Sequence, residues 1–257
     1  MAIRLKTKED IEKLRIAGKF LAQVVDEVAK AVKPGVMTNE LEDLARKLIS
    51  EKGCKPAFLN YKPAGAKRPY PAALCVSIND EIVHGIPNED PRELKEGDIV
   101  SVDTGLSYEG MIVDHAVTVP VGEISSEARK LLTVTKEALS SAIKVAQPGN
   151  RIGDIGAAVE ERAHKNNFAV VQGLCGHGVG YTVHEEPYVP NEGRKGTGEL
   201  LEPGLVIAIE PMFSTGKGDI ELGRDDYTYT TKDRSLSAQF EHTVLITENG
   251  PEILTKL

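Results

Sequence analysis

The sequence predicts an α/β fold made of two similar halves related by an approximate two-fold axis. Two observations carry this. An amphipathic stretch of helical spacing, broken once by a Pro-Gly corner, occurs twice, in residues 14–52 and 127–167. Each stretch is followed by a turn, a β-branched run and a carboxylate at the same step, as Leu94-Lys-Glu-Gly97-Asp-Ile-Val-Ser-Val-Asp103 and Leu201-Glu-Pro-Gly204-Leu-Val-Ile-Ala-Ile-Glu210. Each echo is weak alone, because Pro-Gly corners and β-branched runs are common. Their shared order is the signal.

The elements follow in chain order. Residues 14–32 carry apolar side chains at helical spacing and stop at Lys33-Pro34-Gly35. A second helix restarts after the corner, with Thr38 or Asn39 suited to its N-cap. Val83-His84-Gly-Ile-Pro87 comes next, then the strand ending at Asp103, then a strand over Asp114-His-Ala-Val-Thr-Val119. The second half repeats this series. Its helices run from residue 127 to 167, broken at Gln147-Pro148-Gly149, with Arg151-Ile-Gly-Asp-Ile155 as the restart. Val183-His184-Glu-Glu-Pro187, the run to Glu210 and Glu241-His-Thr-Val-Leu-Ile246 complete it. The expected organisation is a single catalytic domain over residues 1–257, with pseudo-repeats at about 10–120 and 125–250.

Composition narrows the class. The chain has 257 residues, 40% of them hydrophobic and 27% charged, and a formal charge of −8. This is globular composition, long enough for a sizeable core. The acidic balance argues against a nucleic-acid face. The three cysteines (Cys54, Cys75 and Cys175) lack C-x-x-C spacing, so a disulfide scaffold or zinc ribbon is not expected and reduced thiols are. The N-terminus is charged from Arg4 onward, unlike a signal peptide, and no run is long enough to span a membrane. A soluble, cytoplasmic monomer is expected.

A pseudo-two-fold axis brings equivalent residues face to face. The pairs are Asp103 with Glu210, Asp114 with Glu241, and His84 with His184. Carboxylates ending buried strands cost several kcal/mol unless they are paired or hold a cation. Four in two symmetric pairs would repel, and divalent cations are the usual remedy. His177 adds an imidazole in the glycine-rich stretch Cys175-Gly-His-Gly-Val-Gly180, which permits close backbone approach. His177 and His184 are an odd number of residues apart, so a turn or bulge must intervene if both reach one site. His115 and His242 each follow a candidate ligand and should face the other side of their strands, and His164 reads as a surface residue. Four carboxylates and one imidazole suit Mn²⁺, Fe²⁺ or Co²⁺, two of which five ligands can hold when carboxylates bridge.

Beyond this pattern, the segments His84-Gly-Ile-Pro87, Val102-Asp-Thr-Gly105, Cys175–Gly180, His184-Glu-Glu-Pro187, Ile209-Glu-Pro-Met212 and Thr231–Thr243 resemble the type I methionine aminopeptidases. The similarity runs from about residue 8 to 255, and the 231–243 block is the most specific part. The resemblance implies the pita-bread α/β fold, itself pseudo-two-fold, with an antiparallel curved sheet flanked by two helix pairs. It implies a hydrolase that excises N-terminal methionine from nascent polypeptides and prefers a small second residue. The implied metal ligands are Asp103, Asp114, His177, Glu210 and Glu241, holding two divalent ions (Co, Mn, Fe or Zn). Asp103 and Glu241 would span or chelate, and His177 would cap one ion.

The resemblance also implies roles around those ligands. Two cations would activate the attacking water. Glu210 would relay its proton, His184 would hydrogen-bond the scissile carbonyl, and His84 would contact the scissile amide or the next carbonyl. Tyr70 and Tyr227, with Val183 and Phe58, would line the methionine pocket. The sequence departs from the family pattern in an insertion at Lys62-Pro-Ala-Gly-Ala-Lys-Arg68, and in His115, where threonine is common. No type II insertion fits between His184 and Glu210, and the short type I form, without a cysteine/histidine-rich extension or a large N-terminal domain, is expected. Competing readings are an Xaa-Pro peptidase, a silent module binding protein or RNA, and a dimetal phosphoesterase. The expected short form, the intact ligands and the lack of a basic cluster weigh against them in turn. Transient ribosome contact would need a local basic patch, for which Lys6, Lys8, Lys13, Arg15 and Lys19 are candidates, although a solvated helix face is favoured.

Overall fold

A computed structural model of the chain describes residues 2–257. Helix α1 (Lys8–Ala31) opens at Thr7, whose hydroxyl accepts from the Asp10 amide at 3.2 Å while the Asp10 carboxylate accepts from the Thr7 amide at 3.1 Å. That reciprocal cap satisfies two otherwise orphaned donors. The helix stops before Pro34, which cannot continue the hydrogen-bond ladder. Helix α2 (Thr38–Glu51) corrects one expectation. Its N-cap is Met37, not Thr38 or Asn39, because Glu40 reaches back to accept from the Met37 amide at 2.8 Å. Thr38 is therefore free to donate its hydroxyl to the Pro87 carbonyl.

Five strands follow: β1 (Lys55–Pro56), β2 (Leu74–Ile78), β3 (Glu81–Val83), β4 (Ile99–Tyr108) and β5 (Met111–Pro120). The second half starts with α3 (Ser126–Val145), capped by Ser125, and α4 (Ile152–Lys165), which opens after the second Pro-Gly corner. Then come β6 (Ala169–Val170), β7 (Cys175–Gly178), β8 (Glu185–Pro190), β9 (Val206–Ile209) and β10 (Met212–Ser214). The chain ends with β11 (Ile220–Leu222), β12 (Tyr229–Thr231), β13 (Ser237–Gln239), β14 (His242–Thr247) and β15 (Gly250–Ile253).

The strands pair antiparallel, and the expected sheet is divided among four paired groups. In the first half β4 lies between β2 and β5. In the second, β9 lies between β7 and β14. These two trios are the counterparts the repeat predicts. They meet at β5 and β14, where the Glu241 amide donates to the Ala116 carbonyl (2.9 Å) and the Thr243 hydroxyl bonds both the amide and the carbonyl of Asp114 (2.9 and 2.7 Å).

Two apolar cores form, one around the helix pair of each half and each joined by residues of the other half. Leu14, Leu21 and Val28 of α1 and Leu41 and Ile49 of α2 pack with Val100 and Val102 of β4. Leu131 and Ala138 of α3 and Ile155 and Val159 of α4 pack with Ile207, Ile209 and Val244. Burying each of these Leu, Ile and Val side chains is worth roughly 1.5–3 kcal/mol. With helices covering one sheet face, the other is left for the site.

Of the five candidate cations near the N-terminus, Lys8 and Lys19 are exposed, in keeping with the favoured solvated face, and the other three are paired. Lys6 is buried against Glu185, Lys13 pairs with Glu9 at 2.7 Å, and Arg15 binds Glu252 and Glu12. Carboxylates along the same face neutralise these cations. Among the described residues no helix is long and apolar enough to cross a membrane.

Candidate metal centre

The strand registers bring the acidic residues together. In the β4–β5 hairpin Asp103 stands opposite Ala116 and Asp114 opposite Gly105, so the two carboxylates share a face two positions apart. Glu210 directly follows β9 and Glu241 directly precedes β14. The His242–Ile209 pairing then sets Glu241 opposite Glu210. His177 enters from β7, paired with Ala208. Its glycine neighbours are needed for packing: a Cβ on Gly176 would meet the Ala208 carbonyl oxygen at 2.3 Å, and one on Gly178 the Glu186 carbonyl oxygen at 2.3 Å.

The His177 Nε2 lies 3.6 Å from Glu210 Oε1 and 3.9 Å from Asp114 Oδ2. Asp114, His177 and Glu241 each offer a ligand atom, all within 4.8 Å of one another. The His177 Nδ1–H donates to the Gly178 carbonyl at 2.9 Å, which leaves the Nε2 lone pair facing the acids. Burial pushes this imidazole down to about 3, so it is neutral at pH 7. Burial also pushes Asp114 up to about 7. Asp103, Glu210 and Glu241 are driven well above the carboxylate range, chiefly by burial and further by the neighbouring acids.

Those features test whether the residues fit a metal. Buried carboxylate oxygens Asp103 Oδ1 and Glu241 Oε1 lack any hydrogen-bond partner. Orphaned buried acceptors are costly, and so is a cluster of like charges. Divalent cations answer both, and the donor set, four carboxylates and one neutral imidazole, is of the type that hard to borderline metals favour. The residues fit.

Two further histidines border this cluster. The β7–β8 pairing slips between His177 and Gly178, and the chain makes an excursion before returning at Glu185. This is the irregularity that the odd spacing requires. The His184 ring packs edge-on against His177, centroids 4.4 Å apart. His84 follows β3 with a φ of 61°, a left-handed conformation that a non-glycine residue adopts at a cost. Burial pushes His84 down to about 4 and lowers His184 as well.

All of these residues line one cavity of about 470 Å³. Its apolar wall holds Phe58, Tyr70, Cys75, Val183 and Tyr227. Tyr70 and Tyr227 stack edge to face, centroids 5.1 Å apart. Their hydroxyls are already used, Tyr70 donating to the Gly85 carbonyl (2.9 Å) and Tyr227 to the Arg68 carbonyl. The rings therefore offer the cavity hydrocarbon, not hydroxyl. The insertion supplies Pro63, Ala64, Gly65 and Ala66 to the lining.

Sequence reasoning missed two contacts. The Tyr61 hydroxyl lies 3.1 Å from His184 Nδ1, and the Gln239 side-chain amide donates to Glu210 Oε2 at 3.0 Å. A lone tyrosine in a loop carries no sequence signal. Gln239 lies within the specific 231–243 block, two positions before Glu241, and its place there is the one available hint.

The chain matches metallopeptidase family M24 over residues 12–248. It is 51% identical to the methionine aminopeptidase of Aquifex aeolicus, covering 100% of both chains. It superposes on the crystal structure of a methionine aminopeptidase from Thermotoga maritima with a TM-score of 0.95 at 44% identity, again over 100% of both. The prolidase of Pyrococcus furiosus, at 24% identity and a TM-score of 0.75, shares the fold, with 98% of this chain covering 65% of that one.

Proposed function

The chain belongs to metallopeptidase family M24, and on that premise we propose that it is a methionine aminopeptidase acting on nascent polypeptides in the cytoplasm. The observation that carries this reading is a single cavity holding both the carboxylate–histidine cluster and an apolar wall. Asp103, Asp114, His177, Glu210 and Glu241 would hold two divalent ions of the Mn, Fe, Co or Zn class. Bound there, the ions supply an acidified water and polarise the scissile carbonyl.

The chain's own residues do the rest. Glu210, whose Oε1 lies 3.6 Å from His177 Nε2 within the cluster, is suited to take a proton and return it to the leaving amine. Gln239 holds that carboxylate through Oε2 and leaves Oε1 toward the cluster. Burial disfavours the charged form of His184, and donation from the Tyr61 hydroxyl to its Nδ1 would keep the proton on Nε2, available to the scissile carbonyl oxygen. His84, which burial keeps neutral, would hold the amide beyond the scissile bond. Tyr70, Tyr227, Phe58 and Val183 supply an unbranched thioether with apolar contact, and Cys75 lies beside them. The substrate residue that follows would meet the wall formed by Pro63–Ala66.

The decisive assay uses metal-stripped protein with Met-Ala-Ser and Ala-Pro-Ser, with and without Mn²⁺, Fe²⁺ or Co²⁺ under anaerobic conditions. Methionine release that returns only with metal is the expected result. Metal-dependent release from Ala-Pro-Ser alone would replace the reading with an Xaa-Pro peptidase, and silence on both would end it.

A further inference from the structure

The segment between β7 and β8 that carries His184 is clamped from outside by the N-terminal residues. Lys6 has no exposed side-chain surface, and its ammonium pairs with Glu185, the residue immediately after His184. The other Glu185 oxygen accepts from the Tyr181 amide at 3.2 Å. Tyr181 in turn donates its hydroxyl to Asp10 Oδ2 at 2.7 Å, with the Arg4 guanidinium 3.9 Å from its ring centroid. The Lys6 amide donates to the Gly204 carbonyl at 2.8 Å, in the turn that leads into β9 and Glu210.

Gly180 makes room for this lysine. Its φ is +138°, and a Cβ there would lie 2.3 Å from Lys6 Cε. The excursion is thus shaped around the lysine stem. At its end Thr182 donates its hydroxyl to the His184 carbonyl at 2.8 Å.

A lysine removed from water is costly unless its charge is matched, and such pairs are poor sources of net stability. What a buried pair does supply is one fixed geometry. We propose that Lys6 is a positioning residue, holding Glu185 and thereby setting where the His184 imidazole stands in the cavity. This rests on the aminopeptidase reading of the site. Displacing a catalytic group by about 1 Å can cost on the order of a hundredfold in rate, so a clamp one residue from His184 has leverage on turnover.

The test is Lys6→Met, with Glu185→Gln as a gentler variant that keeps an acceptor for the Tyr181 amide. Each is measured alone and in a His184→Ala background. Lys6→Met is expected to lower kcat for Met-Ala-Ser by at least about tenfold, with KM within about twofold. In the His184→Ala background the same change should leave kcat within about twofold. A second readout needs no turnover. In metal-free protein labelled with ¹⁵N-histidine, the His184 imidazole signals, identified by their loss in His184→Ala, should shift in Lys6→Met while those of exposed His164 stay in place. Equal losses of kcat in both backgrounds, or unmoved His184 signals, would overturn the proposal. If Lys6→Met does not fold, Glu185→Gln is judged by the same criteria. A wild-type protein that releases no methionine would defeat the aminopeptidase reading instead, and the imidazole shifts would still decide the clamp.

Discussion

His115 and His242 stack face to face, ring centroids 4.6 Å apart and planes 12° from parallel. Each follows one metal-ligand candidate, Asp114 or Glu241, and the two histidines occupy equivalent positions of the repeat, on the sheet face opposite those carboxylates. There the two rings border a second cleft together with Val25, Val117 and Phe240. The His115 Nδ1–H also donates to the Glu241 carbonyl at 2.5 Å, so one half of the molecule holds the backbone of the other half's ligand. His115, the departure from the family pattern, is thus a tie across the pseudo-two-fold.

His115→Ala should therefore destabilise the metal-free protein by about 1–3 kcal/mol, since a buried carbonyl loses its donor. His115→Ala and His242→Ala together should be non-additive by roughly 0.5–1.5 kcal/mol, because they remove a shared stack. Urea unfolding of the four proteins checks this. Additivity would mean that the stack contributes nothing beyond its area.

Metal affinity should fall as pH falls. Asp114, raised to about 7, is protonated in the metal-free site below that pH. A cation must expel that proton, so the apparent affinity drops about tenfold per pH unit below 7 for one proton, and more steeply for each further one. Asp103, Glu210 and Glu241, also raised by burial and by the neighbouring acids, add to the slope. His177, lowered to about 3, is already neutral and adds nothing in this window. Titration calorimetry with Mn²⁺ in buffers of different ionisation enthalpy, from pH 5.5 to 7.5, measures the protons released. A pH-independent affinity would refute this account of the cluster.

Tyr61→Phe should lower kcat/KM for Met-Ala-Ser by about three- to tenfold, the worth of one hydrogen bond, and act on kcat. The phenylalanine keeps the edge-on ring contact with His184 and removes only the hydroxyl on Nδ1. A rise in KM with kcat unchanged would instead assign Tyr61 to substrate packing.

How far the site could be read from the sequence follows from how each residue announces itself. Asp103, Asp114, Glu210 and Glu241 repeat in register, and a repeated carboxylate in buried strands has few structural explanations. Asp103 does not end its strand as expected: it and Asp114 lie inside β4 and β5, and only Glu210 and Glu241 flank theirs. The fold was legible for the same reason, since two Pro-Gly corners and two strand trios follow one plan. Side-chain partnerships across loops left no such trace. Tyr61 meets His184, and Lys6 meets Glu185, only because the tertiary structure joins distant segments. The cap of α2 was misread because Glu40 performs a task that Thr38 or Asn39 also suits. The charge run from Lys6 to Lys19 gave no warning that Glu9, Glu12, Glu185 and Glu252 would neutralise much of it.

The loop over residues 62–69 should control tolerance at the second substrate residue. It contributes Pro63–Ala66 to the cavity wall and is fastened on its far side by Lys67 to Asp226 (2.6 Å) and by Arg68 to both oxygens of Glu89 (2.5 and 2.6 Å). These ion pairs are exposed, so removing them with Lys67→Ala and Arg68→Ala should cost about 1 kcal/mol or less of stability. The wall they hold has no apolar core of its own and should loosen. Activity on Met-Ala-Ser is then expected to change less than about threefold, while the ratio of kcat/KM for Met-Leu-Ser over Met-Ala-Ser rises by about fivefold or more, roughly 1 kcal/mol of lost exclusion. An unchanged ratio, with the loop shown by hydrogen exchange to have loosened, would mean that second-residue selection lies with the rigid side of the cavity around His84 and Tyr229.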